Sequence, residues 1–118
     1  MLSKFSHLML WVEDLDRAVN FWEQTFGFSR RFVAPGHYAV LHHQGMNFPL
    51  HLHPTSKGDP NVGHGPQTYF ISDSLDEEVK RLRAAGIRIS DPRSESGSPR
   101  FCELTDSEGN PIGLSEAR

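Results

Sequence analysis

The chain has 118 residues, of which 36% are hydrophobic, and its 12 lysines and arginines against 15 aspartates and glutamates give a formal charge of −3. That length suits a single domain with its own core, and eight phenylalanines, two tryptophans and two tyrosines argue against disorder. The basic residues form no cluster longer than an adjacent pair, against a nucleic-acid partner, while Cys102 as the only cysteine excludes an internal disulfide. No apolar run approaches the ~18 residues of a membrane span, and Met1 to Phe5 lacks the apolar centre of a signal peptide. The cytoplasm is the expected compartment.

Residues 5–12 alternate in character, predicting a strand with Leu8, Leu10 and Val12 on one face and His7, Met9 and Trp11 on the other. Asp14 is placed to cap a helix whose apolar positions Leu15, Val19, Trp22 and Phe26 follow a 3.6-residue period, with Gly27 as its terminator. Strands are predicted over 28–34, 37–43 and 46–53, separated by Pro35-Gly36 and Gln44-Gly45, with Pro49 tolerated near a strand start or a bulge. This makes residues 1–53 a βαβββ module. Residues 54–66, with Pro54, Pro60, Pro66, Gly58, Gly63 and Gly65, read as a linker.

Module two, 67–118, opens with a strand over 67–73. Ser74-Leu75-Asp76-Glu77 has the capping-box pattern, heading a helix that turns Leu75, Val79 and Leu82 inward and ends at Gly86. Strands are predicted over 87–90, 100–105 and 110–115, parted by a polar insert at 91–99 and the turn Asp106-Ser107-Glu108-Gly109. The βαβββ order returns. Leu15, Asp16 and Val19 recur as Leu75, Asp76 and Val79 at one constant offset, so the halves read as one unit written twice, and an α+β fold of two pseudo-symmetric βαβββ modules is expected.

With the opening stretch from His7 to Trp22, the helix end Phe26-Gly27-Phe28 and the closing turn Asp106 to Asn110, the chain resembles the vicinal oxygen chelate superfamily. This group holds glyoxalase I, bleomycin resistance proteins, fosfomycin resistance enzymes and extradiol dioxygenases. The resemblance implies two βαβββ modules enclosing a U-shaped cleft, and a homodimer. Ser107 stands where the family turn often has proline.

The resemblance also implies a divalent ion (zinc, iron or manganese) held by one side chain from the first and one from the last strand of each module. The matching positions are His7, His51 and Gln67, and imidazole suits such ions where an amide serves poorly. The last position falls on Gly113, where catalytic relatives carry glutamate. The expected site is therefore metal-poor, and Gly113→Glu is expected to raise metal affinity, provided the strand has room. Glu103, alternating with Cys102 and Leu104, is the candidate replacement carboxylate and catalytic group. Met9, Trp11, Tyr69, Ile71 and Phe101, with His53 and Glu103, make the predicted ligand wall. His37, His42, His43 and His64 read as exposed. No phosphate loop, serine elbow, zinc-finger spacing or dinucleotide fingerprint is present.

These observations predict a glyoxalase or bleomycin resistance type protein that holds a small organic molecule in the cleft without a tight catalytic metal. The alternative is a metal-dependent lyase or dioxygenase using His7 and His51. A third possibility is a structural or regulatory dimer whose cleft is filled by side chains.

Overall fold

The computed structural model describes residues 1–117. In chain order it places β1 (Leu8–Val12), α1 (Leu15–Phe26), β2 (Ser29–Ala34), β3 (Tyr38–His42), β4 (Leu50–Pro54), β5 (Thr68–Ile71), α2 (Leu75–Ala84), β6 (Phe101–Thr105) and β7 (Pro111–Ser115). Two sheets result, ordered β1-β4-β3-β2 and β5-β7-β6, and in each the strand before the helix runs parallel to the unit's last strand. Among the described residues, no helix is long and apolar enough to cross a membrane.

Alternation along the strands decides which face each helix covers. In β4, Leu50 and Leu52 are buried while His51 and His53 are half-buried, and in β1 Leu10 and Val12 are buried. Helix α1 lies over β3 and β4 and buries Leu15, Ala18, Val19 and Trp22. Burying a side chain as large as Trp22, 1% exposed, is worth on the order of 3 kcal/mol. Leu75, Val79 and Leu82 are buried at the corresponding positions of α2. The repeat seen in the sequence thus corresponds to equivalent positions buried on the two helices.

Three local expectations are corrected. The strand over 87–90 does not form. That segment instead runs beside β6 as irregular chain, with Ser90 N–H donating to the Glu103 carbonyl at 3.0 Å, and pairing survives only as an isolated bridge between Arg93 and Phe101. Pro92, Gly97 and Pro99 interrupt the segment that would have to extend the ladder. The strand predicted over 46–53 begins only at Leu50, because Pro49 has no N–H to give a ladder; its carbonyl accepts from Leu8 N–H at 3.2 Å. The Ser74 side chain makes no capping hydrogen bond, whereas Asp14 accepts from Arg17 N–H at 3.0 Å as expected.

Contacts at Phe70, Arg81 and Glu108 help to join the units. The Phe70 ring of β5 lies 6.3 Å from Trp22, 6.3 Å from Phe26 and 6.4 Å from Phe28 between centroids. Arg81 of α2 donates to the Thr25 carbonyl at 2.8 Å, satisfying the C-terminal end of α1. At the other end of α1, the Glu108 carboxylate accepts from Glu13 and Asp14 N–H, each at 2.9 Å, and from Arg17 at 2.7 and 3.0 Å. A fully covered carboxylate there answers both the orphan amides and the positive end of the helix dipole.

Candidate functional site

The faces of the two sheets turned away from the helices carry most of the predicted site residues. On the first, β1 and β4 set Met9 beside His51 and Trp11 beside His53, and β3 sets Val40 beside His51. His7, just before β1, lies face to face on His51 with centroids 3.8 Å apart and planes 21° apart, and its Nδ1 bonds the Ser6 hydroxyl at 2.8 Å. Tyr38 stacks against His53 at 5.4 Å and 8°, and Trp11 meets His53 edge-on at 6.1 Å. Burial, and then the neighbouring His7 and His53, hold His51 below the ordinary imidazole range.

On the second sheet, Tyr69, Gly113 and Glu103 form one row across β5, β7 and β6. Tyr69 pairs with Gly113 as Met9 pairs with His51, so Gly113 is the structural counterpart of His51. The Tyr69 ring lies flat on this glycine: a Cβ there would fall 2.3–2.6 Å from three of its ring atoms. Glu103 is ion-paired with Arg93, whose guanidinium sits 4.5 Å above the Phe101 ring. Phe101 in turn packs on Tyr69 at 6.3 Å.

The implied divalent metal does not fit this arrangement. An imidazole binds an ion along its in-plane lone pair; two rings stacked face to face, as His7 and His51 are, do not aim at one ion. The fourth position is covered by an aromatic ring rather than supplied with a donor, and Glu103 is already engaged. Among the described residues no three His, Cys, Asp or Glu side chains gather into a metal-holding group. Gly113→Glu alone, expected to restore a ligand, meets the Tyr69 ring instead.

The structure brings His7, Met9, Trp11, His51 and His53 together on one sheet and Tyr69, Phe101 and Glu103 on the other. Gln67, Tyr69 and Ile71 line a groove of about 1030 Å³ between the end of α1, the β3–β4 connection and β5, a lining that includes neither His7 nor His51. Trp11, Tyr69 and Ile71 are left 40%, 51% and 69% exposed. His42 and His43, expected on the surface, are half-buried, His43 because it packs 5.0 Å from Phe28 and accepts from Gly45 N–H at 3.0 Å. Tyr38 and Arg93 were missed. Tyr38 had a signal in the alternation Tyr38, Val40, His42, but Arg93 sits in a polar insert with no period to mark it.

Comparison with known proteins agrees with this architecture. The virulence protein STM3117 of Salmonella typhimurium is 25% identical, over 98% of this chain and 85% of that protein. TnmS3, an antibiotic binding protein from Streptomyces sp. CB03234, superposes with a TM-score of 0.82 at 23% identity, covering 99% of this chain and 98% of its own. Lactoylglutathione lyase from Agrobacterium tumefaciens does so at 0.77 and 21%, covering 98% and 95%. These two likenesses concern the fold. The family model described as Glyoxalase/Bleomycin resistance protein/Dioxygenase superfamily matches residues 4–114, nearly the whole chain, and the chain belongs to this superfamily.

Proposed function

We propose that this is a cytoplasmic binding protein that holds a small organic molecule against the open faces of its two sheets, as a homodimer, without a tightly bound catalytic metal. The observation that carries the reading is the Tyr69 ring lying on Gly113, which turns the position of a fourth metal ligand into part of an aromatic wall. Exposed Trp11 and Phe32 on the first sheet and Tyr69 and Ile71 on the second support both a ligand wall and a second copy as its other side, since exposed large apolar groups mark binding surfaces. The pairing of modules 1–53 and 67–118 into one domain suits that cleft. Buried, unpaired Cys102 suits a reducing compartment.

The metal-dependent lyase or dioxygenase reading draws on Glu103, which stands across from Gly113 in the ladder. It requires Glu103 to leave Arg93 and the rings of His7 and His51 to unstack. The test is metal analysis of protein purified without chelator, with light scattering on the same sample. We expect a dimer and well under one equivalent of metal, with millimolar zinc binding only weakly. Stoichiometric metal that survives dialysis would overturn the binding-protein reading in favour of the enzyme; a monomer at high concentration would remove the second copy.

A further inference from the structure

We propose that the groove along β5 is a docking site for an uncharged, extended peptide segment of another protein, which adds to the three-stranded second sheet as a further strand. In that sheet β5 pairs with β7 on one side only, and Ser72 N–H donates to the Ser115 carbonyl at 2.8 Å. Alternate residues of a strand turn their peptide groups to opposite sides, so Phe70 and Thr68 turn theirs to β7 while the N–H and C=O groups of Tyr69 and Ile71 turn to the free edge. Among the described residues these groups have no hydrogen-bond partner. Every residue from Pro66 to Ser72 lines the groove of about 1030 Å³, so the groove meets the strand along its edge rather than on one face. An open edge is a template for pairing: an added strand gains main-chain hydrogen bonds, and pockets for its alternate side chains give selectivity.

Length and charge define the segment. β5 spans Thr68–Ile71, roughly 13 Å of strand, so about four or five residues of a partner pair with it. Across from β5, Phe26, Phe28, Met46 and Phe48 give the groove an apolar wall. The charged groups that line it are neutralised within the chain, Glu23 by Arg30 and Glu78 by Arg81, and Arg81 is further held by the Thr25 carbonyl. A charged partner side chain would lose water there without gaining a counter-ion, whereas an uncharged apolar segment is complementary. The edges of a second copy fit less well. Its arm Met1–Phe5 brings Lys4 and its edge strand β2 brings Arg31, while its own β5 stands behind the same walls of α1 and the β3–β4 connection.

The test is calorimetric titration at neutral pH with the capped peptide acetyl-Thr-Val-Leu-Val-Thr-amide and with its counterpart N-methylated at the central residues, which keeps the apolar side chains and loses the strand donors. We expect the parent peptide to bind at least about tenfold more tightly than the N-methylated one, and exchange of its leucine for lysine or for glutamate to weaken it about tenfold in each case. At saturation the amides of Tyr69 and Ile71 should exchange with solvent at least about tenfold more slowly, with Phe70, which faces β7, changing little. Phe48→Ala should weaken the parent peptide about fivefold, and Phe32→Leu, outside the groove, should leave it within about twofold. Circular dichroism confirms that each variant is folded. Equal affinity for the parent and N-methylated peptides overturns strand addition, as does failure of the parent to bind at millimolar concentration. Slow exchange at Tyr69 and Ile71 in the protein alone, increasing with its concentration, would put a second copy in the groove and overturn the foreign partner.

Discussion

A single missing side chain at Gly113 decides more about this site than any residue present. Two histidines at His7 and His51 satisfy a family pattern in the sequence, and alternation correctly puts them on one face. That the glycine's space belongs to the Tyr69 ring is a tertiary fact with no local signature, as is the face-to-face set of the two imidazoles. The consequence is measurable. Gly113→Glu alone should leave zinc affinity within about twofold of the unmodified protein, because the new side chain must first displace an aromatic ring. Combining it with Tyr69→Ala should raise affinity at least about tenfold, as read by calorimetric titration. A single substitution that tightens zinc as much as the pair would show that the ring is no obstacle.

At the scale of elements, the two helix starts look equally well signalled in sequence and differ in the fold. Asp14 caps α1 through the Arg17 amide, while Ser74 heads α2 with its hydroxyl uncommitted to the helix; Asp76, Glu77 and Glu78 in the first turn of α2 favour its N-terminus through the dipole. Asp14→Ala should therefore cost about 1 kcal/mol in urea denaturation. Ser74→Ala should cost under about 0.5 kcal/mol, and comparable losses would mean that Ser74 caps in solution. The helices were legible because Leu15, Val19 and Trp22, and Leu75, Val79 and Leu82, repeat on a helical period that packing reinforces. The strand expected over 87–90 failed because alternation of Ile87 and Ile89 describes a half-buried extended chain equally well, and only partners distinguish a strand from that.

Across the whole molecule, the inter-unit clamp at Glu108 was hidden in a turn whose composition reads as solvent-exposed. Burial pushes its carboxyl upward, but Arg17 and the amides of Asp14 and Glu13 outweigh this and hold it below the ordinary carboxylate range. A depressed carboxyl contributes stability in full above its unfolded value and loses it as pH falls through the folded one. Glu108→Gln should thus cost about 1.5–3 kcal/mol at neutral pH, with the gap between the two proteins closing below about pH 4. Neighbouring Asp106, raised chiefly by burial, acts in the opposite sense, disfavouring the folded state at neutral pH and relieving that cost on protonation. It is present in both proteins, so to first order it leaves the difference to Glu108. A gap that stays constant from neutral to acid pH would mean that the carboxylate charge contributes nothing to the clamp.

Phe70 has a further meaning for how the chain reaches this state. It belongs to the second unit but packs against Trp22, Phe26 and Phe28 of the first, so neither half completes its apolar contacts alone. Whichever sheet forms earlier waits for a strand delivered from beyond residues 55–67, and the entropy of closing that connection is spent before the contact repays it. A chain that reads as two copies is in this respect one folding unit, its halves committed together.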